Sequence, residues 1–321
     1  MNTVVSLGIH IVDVLGRPVG QVPAGQGLAL IDQVRFTVAG TAAGASVDMA
    51  KLGMNVRAMG AIGQDEIGDF LIATMQRFGI DTSNLVRKSN SQTSCSMLPI
   101  RPNGERPALH VIGANGELAY EDVNLTAIAS ADFLHVGGTP LMAKFDGEPA
   151  SRVLKYAKEK GLTTTFDLLG IPKPNLKELV EICIPYLDFF MLNDDEAAMI
   201  CGLKDPREAV RYFSDLGAKH VVIRLGANGS LIGYLENGSL KEIYTPAFDV
   251  PVVDSTGCGD SYSAGLIKGL SLGWDLEKCA WLGCACGGLV IQGLGSDAGI
   301  VDFESTLRFA QTSKPRRVGK H

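Results

Sequence analysis

Two acids and two glycines stand close together in Asp254-Ser255-Thr256-Gly257-Cys258-Gly259-Asp260. A β-branched run ending in Val252-Val253 leads into this turn. The residues after it have helical apolar spacing, with Tyr262, Leu266 and Leu270 on one stripe and Ser263 and Ile267 on the next. Strand, glycine loop and helix start aim free backbone N–H groups at an anion. Asp260 falls in the first turn of that helix, where a carboxylate commonly serves only as a cap. Two glycines around one small residue, with Asp254 six residues before Asp260, supply more than a cap needs. They are the parts of a phosphate cradle with an adjacent base.

Such a loop needs a large scaffold. The chain has 321 residues and 46% hydrophobic content, enough for a sizeable core. Its 38 glycines suit the tight loops of an α/β enzyme. A net charge of −6 argues against a nucleic-acid partner. The one basic cluster, Lys314-Pro315-Arg316-Arg317-Val318-Gly319-Lys320, reads as a frayed terminus. The first residues have no basic n-region, and Asp13 interrupts their apolar run, unlike a signal peptide. Residues 279–296 carry no charge, but five glycines and a Gln make a buried helix and loop a better reading than a membrane span. The seven cysteines are scattered without zinc spacing, as reduced core thiols of a cytoplasmic protein would be.

Along the chain, strand-like and helix-like segments alternate. Val4 to Ile9 reads as a first buried strand, residues 41–53 as a helix with a glycine stop, and 56–62 and 68–78 as the next strand and helix. From Phe133 to Leu225 the alternation is regular, with strands at 133–136, 163–167, 189–192 and 220–225. That pattern predicts a parallel sheet covered on both faces. Two segments fall outside it. Residues 14–37 mix Pro, Gly and Gln with short alternating runs. Residues 92–113 read as a hairpin around Asn103-Gly104. The expected organisation is an α/β core of 1–13, 38–91 and 114–321, with a small β-sheet lid from 14–37 and 92–113 over the strand ends, where ligands bind in such sheets.

On these residues the chain resembles the PfkB (ribokinase-like) family of carbohydrate and nucleoside kinases. Its N-terminal signature matches Ala39-Gly40-Thr41-Ala42-Ala43-Gly44 through Leu52-Gly53, then Gly63-Gln64-Asp65-Glu66-Ile67-Gly68. The C-terminal signature matches residues 254–260. Asn193-Asp194-Asp195-Glu196 resembles the family's Asn-x-x-Glu, and Leu225-Gly226-Ala227-Asn228-Gly229 resembles its nucleotide loop. The resemblance implies a ribokinase-like three-layer sandwich with a mostly parallel central sheet and a β lid. It implies transfer of the ATP γ-phosphate to a hydroxyl, with Mg2+ and in many members a monovalent cation such as K+. It also implies a homodimer through the lid. No Walker A or dinucleotide-binding glycine motif is present.

The resemblance distributes roles over the chain. Asp260 is the expected base, and the amides of Gly257, Cys258 and Gly259 the expected anion hole. A nucleophilic Cys258 lacks a nearby His in the motif. Asn193 and Glu196 are expected to act through water on Mg2+ and phosphates, though a helix-capping pair would show the same spacing. Asp254 and Thr256 resemble monovalent-cation ligands, with a capped structural turn as the competing reading. Arg224, Gly226, Gly229 and Cys284 are the remaining candidates for the nucleotide. For Arg224 a surface charge at a strand end is an equal alternative. Asp13, Gly40, Thr41, Gly44 and Gly138 are candidates for the substrate.

The substrate positions depart from sugar kinases of the ribokinase type. Ile11 and Gly44 stand where such members carry Asn, and Gly137-Gly138 where they carry a substrate-facing Glu. The expected acceptor is a small sugar or sugar derivative, not by default ribose. A nucleoside is the alternative: apolar or aromatic walls beyond Asp13 would favour it, and a small polar ring would favour a sugar. His10, Arg101, Arg106 and His110 could replace the lost contacts. A non-catalytic sugar sensor would have a decayed phosphate loop, and this one is intact.

Overall fold

The computed structural model describes residues 2–316. The first strand, β1 (Thr3–Gly8), is buried along its whole length. The chain then leaves the main sheet through β2 (Ile11–Arg17) and returns through β3 (Gln33–Ala39) into helix α1 (Thr41–Lys51). Next come β4 (Asn55–Gly63), α2 (Glu66–Arg77) and β5 (Asp81–Lys88), then β6 (Cys95–Pro99) and β7 (Leu109–Val111). After α3 (Leu125–Ala129), β8 (Phe133–Thr139), α4 (Glu148–Glu159), β9 (Thr163–Leu168) and α5 (Leu176–Glu181) follow. The chain continues through β10 (Phe189–Asn193), α6 (Asp194–Cys201), α7 (Pro206–Asp215) and β11 (His220–Arg224). A hairpin of β12 (Ser230–Glu236) and β13 (Ser239–Thr245) precedes α8 (Cys258–Ser271), α9 (Leu276–Val290) and α10 (Phe303–Thr312).

The nine-stranded sheet has the order β13-β12-β11-β10-β9-β8-β1-β4-β5. Its pairings are parallel from β11 through to β5, and antiparallel at the β12–β13 edge. The strands are apolar on both faces because each face is covered. Val221 and Ile223 pack into one core with α4 to α7, whereas Val222 points into the other with α8 and α9. Helix α4 supplies its side of the first core through Ala150, Val153, Leu154 and Ala157, a helical stripe. The uncharged run around 279–296 is α9 and the loop after it, and no helix among the described residues is long and apolar enough to cross a membrane.

A smaller four-stranded sheet has the order β3-β2-β6-β7, antiparallel except for the β2–β6 pair. Its strands reach Ile11 and Ala39, so β2 and β3 extend into the segments that join the main sheet. Alternation gives this sheet two different faces. Thr37, Asp13, Ser96 and His110 form one cross-strand row, and Phe36, Val14, Met97 and Leu109 form the next. Asp13, Ser96 and Thr37 are buried, whereas Phe36, Met97 and Leu109 are exposed.

Five features were not anticipated: α3, β5, the β12–β13 hairpin, α10, and the path of the tail. The reading of residues 314–320 as frayed is corrected over 314–316. The Asp249 N–H donates to the Lys314 carbonyl at 3.0 Å, and the Arg316 N–H to the Ala247 carbonyl at 2.7 Å. These bonds add a short bridge beside Phe248. Arg317 to Lys320 lie outside the described residues.

Candidate active site

The carboxyl ends of β1, β9, β10 and β11 open on a cleft of about 710 Å³, roofed by the small sheet and closed at one end by the start of α8. That volume is ordinary for a ligand site. Its walls include Asp13, Gly40, Thr41, Asn193, Glu196 and Arg224. Gly226, Gly229, Cys284 and the run Thr256 to Asp260 also line it. Gly44, Gly138 and Asp254 do not border it.

The loop before α8 is built by Asp254. One carboxylate oxygen accepts from the Thr256 N–H at 3.0 Å and from its hydroxyl at 2.7 Å. The other accepts from the Gly295 N–H at 2.9 Å, tying the loop to the turn after α9. Gly257 then takes φ +78°, and a β-carbon there would stand 2.4 Å from the Ser296 β-carbon. Only glycine meets both conditions. The helix that follows has 14 residues, and its earliest N–H groups have no acceptor within the helix, that of Cys258 donating instead to the Ser255 carbonyl at 3.4 Å. Gly257, Cys258, Gly259 and Asp260 line the cleft together.

Burial pushes the Asp260 carboxyl up to about 7, and the nearby Asp167 carboxylate adds to the rise, while Arg224 and Arg106 oppose it. A hypothetical β-carbon on Gly44 would stand 3.0 Å from the Asp260 carboxylate. The missing side chain at 44 therefore leaves room for the acid. Gly138 faces Ile9, where a β-carbon would come within 2.5 Å. Burial pushes the Cys258 thiol up to about 12, which keeps it a protonated, poor nucleophile.

Arg224 does not stand free at its strand end. Its guanidinium grips Asp167 through two bonds of 2.6 and 2.8 Å. It also reaches the Gly259 carbonyl at 3.3 Å and Glu196 at 3.5 Å, and Ser263 donates to Asp167 at 2.8 Å. The pair is 13% and 1% exposed, and it braces the first turn of α8 against the ends of β9 and β11. Removing one partner of such a pair typically costs about 3–5 kcal/mol, because the other charge stays buried. Asp167 was not singled out from sequence. Its signal was an acid at the carboxyl end of a buried parallel strand.

Asn193 and Glu196 form a reciprocal helix cap. The Glu196 N–H donates to the Asn193 side chain at 2.7 Å, and the Asn193 N–H to Glu196 at 2.7 Å. Burial raises Glu196 to about 6, against the pull of Arg224. Among the described residues no three His, Cys, Asp or Glu side chains converge as a metal cage.

At the nucleotide-loop end, residues 225–229 close a turn through the Leu225 N–H and the Gly229 carbonyl at 2.7 Å. Cys284 is buried against the Ser230 hydroxyl at 3.6 Å, which in turn accepts from the Tyr262 hydroxyl at 2.9 Å. Arg316, from the docked tail, lines the same end.

At the opposite end, Ile9, Ile11, Leu98, Leu141 and Leu168 make an aliphatic wall around Asp13. Burial lifts Asp13 to about 6, and the Ser96 hydroxyl and Arg106 draw it back. Ser96 also bonds His110 Nδ1 at 3.1 Å. The buried Thr41 hydroxyl has no partner among the described residues. Gly40 brings this helix start close, at φ +98° with the Ile9 carbonyl 2.7 Å from a hypothetical β-carbon. One turn beyond Gly44, Asp48 is fully buried with neither oxygen bonded among the described residues, and burial holds its pKa well above the usual carboxylate range.

The pattern described as pfkB family carbohydrate kinase matches residues 1–302. A 5-dehydro-2-deoxygluconokinase of Geobacillus thermodenitrificans is 28% identical over 315 residues, covering 89% of this chain and 88% of its own. An ATP-dependent ribose-1-phosphate kinase of Halopiger xanaduensis is 28% identical over 273 residues, with 84% and 86% covered. Among solved structures, an Escherichia coli protein in complex with ATP and Mg2+ superposes with TM-score 0.83 at 20% identity, over 97% of this chain and 99% of that one.

Proposed function

The chain belongs to the pfkB family of carbohydrate kinases, phosphotransferases acting on hydroxyl groups, and we propose that it transfers the γ-phosphate of ATP to one hydroxyl of a small sugar or sugar derivative. The observation that carries this reading is that Asp260 and the 257–259 helix start line one cleft with Asp13. In the proposed step the acceptor hydroxyl gives its proton to Asp260. Its oxygen bonds the γ-phosphorus, the bond from that phosphorus to the bridging oxygen of the β-phosphate breaks, and ADP leaves. Gly257, Cys258 and Gly259 offer N–H groups to the charge on the moving phosphoryl group. Asp260 as base accounts for roughly 10²–10⁴-fold of the rate.

Arg224 holds the first turn of α8 through Gly259 and keeps positive charge next to the phosphates. Gly226, Gly229 and Cys284 shape the nucleotide end. Asp13, Gly40 and Thr41 face the acceptor. Gly44 acts on it only through the space it leaves Asp260, and Gly138 only through its packing on Ile9. Mg2+ keeps water and takes phosphate oxygens with one or two carboxylates. Glu196 would hold it through water, with Asn193 setting the Glu196 rotamer. Bound there, Mg2+ would neutralise charge on the transferring phosphoryl group. Asp254 and Thr256 would share a monovalent cation with the 289–296 turn, in competition with the bonds that already use both Asp254 oxygens. The seven unpaired thiols support a cytoplasmic setting.

The names of the relatives, a 5-dehydro-2-deoxygluconokinase and a ribose-1-phosphate kinase, support a sugar derivative as acceptor. The aliphatic wall around Asp13 favours a second reading, a nucleoside. Against it, Phe248 and Tyr262, the phenyl and phenol rings that line the cleft among the described residues, stand at the nucleotide end, and the other end offers only the His110 imidazole, already bonded to Ser96, to stack a second base. The test is a coupled ADP-release screen of sugar acids, sugar phosphates, neutral sugars and nucleosides with Mg2+, with and without K+. Turnover of a sugar or sugar derivative, abolished in Asp260→Asn with acceptor binding retained, is the expected result. Turnover of nucleosides alone would establish the second reading, and an Asp260→Asn enzyme of normal rate would remove Asp260 from its role.

A further inference from the structure

The acceptor end of the cleft holds one guanidinium with no anionic partner. Arg106 lies in the 101–107 loop between β6 and β7 and lines the cleft. Its Nε donates to the Ser255 hydroxyl at 3.3 Å, and no carboxylate among the described residues lies within ion-pair distance of it. The loop leans on the main body here, since a β-carbon on Gly104 would stand 3.8 Å from the Val253 carbonyl. The other arginines of the cleft are placed differently. Arg224 is spent on Asp167, and Arg316 stands at the nucleotide end. Arg106 lines the same cleft as Asp13 and Asp260, and its charge opposes the rise of both carboxyls.

The rest of that end is poor in partners for a neutral polyol. Ser96 and His110 are bonded to each other, and the walls are aliphatic. Asp13, the unpartnered Thr41 hydroxyl and Arg106 are what remain for an acceptor. Each sugar hydroxyl buried without a partner weakens binding. A ligand with few hydroxyls and one anionic group matches the set. A guanidinium fork pairs with carboxylate or phosphate oxygens two at a time.

We infer that the acceptor is an anionic sugar derivative, a sugar acid or a sugar phosphate, whose charged group is held by Arg106 while its reacting hydroxyl lies between Asp13 and Asp260. This rests on the sugar-kinase reading of the same cleft. A single guanidinium balances a monoanionic carboxylate better than a phosphate dianion beside two acids. Sugar acids are therefore the expected arm.

The experiment compares matched pairs in the ADP-release assay: gluconate and its 2-dehydro-3-deoxy and 5-dehydro-2-deoxy derivatives against glucose, fructose 6-phosphate against fructose, and ribose 1-phosphate against ribose. Each is run with the wild type, Arg106→Ala and Arg106→Lys, and melting curves verify folding. The anionic member of a pair is expected to be the better substrate. Arg106→Ala should raise its KM about 10- to 100-fold, with the KM for ATP within twofold and Arg106→Lys recovering part of the loss. Which arm responds identifies the anion as carboxylate or phosphate. Preference for neutral sugars would overturn the inference and leave the sugar-kinase reading standing. An equal loss on neutral and anionic acceptors would also overturn it, since Arg106 would then serve phosphoryl transfer itself. If no sugar or derivative is phosphorylated, both fall together.

Discussion

Asp260 is held where ionising is costly, and the proposed reaction requires it to ionise. Its carboxyl rises from 3.8 to about 7 in the folded chain. At a pH above that range the cost is at most about 4 kcal/mol, and less because the carboxylate borders the open cleft. The sign follows from proton counts. Between about pH 4 and 7 the unfolded chain has released this proton and the folded one retains it, so this group makes stability fall as pH rises. Asp260→Asn should therefore melt above the wild type at about pH 8, with the gap closing towards pH 4. A gap of equal size at both pH values would contradict the burial argument. On the same grounds kcat/KM for the free enzyme should climb with pH and level off above about 7. The motif named Asp260 from sequence because loop, glycines and acid are contiguous. Asp167 escaped, and Arg106 was named only as one of four replacement contacts, since their meaning lies in distances to Arg224 and Ser255 across 57 and 149 residues of chain.

The element that decides the site is the turn into α8. Gly257 combines a left-handed φ with contact on Ser296, a residue held in turn by its hydroxyl bond to the Val38 carbonyl at 2.7 Å. Gly257→Ala should cost about 1–2 kcal/mol in backbone strain alone, plus the displacement of Ser296. Its kcat should drop at least about tenfold, through misplaced amides. A variant with wild-type melting and kcat would show that the turn tolerates another shape. Other elements were legible to different degrees. The buried parallel strands announced themselves, because a strand covered on both faces must be apolar throughout. The β12–β13 hairpin carried its own Asn237-Gly238 turn, both residues at positive φ, yet it lies beyond the strand–helix alternation and went unread. The half-exposed β5 and α10 also fall outside the stretch of regular alternation and went unread.

At the scale of the molecule, the small sheet does two things by alternation. One row, with Asp13, Ser96 and His110, faces the cleft. The next, with Phe36, Met97 and Leu109, is exposed at 56%, 56% and 63%. An exposed apolar row on a sheet face supports the proposed homodimer through the lid. Light scattering of the wild type should give a dimer mass, and Met97→Glu, on the outer row, should give a monomer with an intact melt. A monomeric wild type would discard the dimer.

The α/β class, a candidate phosphate loop, a candidate base and the kinase family were all legible in the chain read alone, because each is written in contiguous residues or in short periodicities. The tertiary structure decided what those residues face. It set Arg224 on Asp167, turned Gly44 into space for Asp260, docked residues 314–316 against 247–249, and brought Arg106, without an ion-pair partner among the described residues, to the cleft that holds Asp13 and Asp260. The reason is physical. A periodicity reports which face of an element is buried, whereas charge pairing and pocket shape depend on which distant elements the core packs side by side.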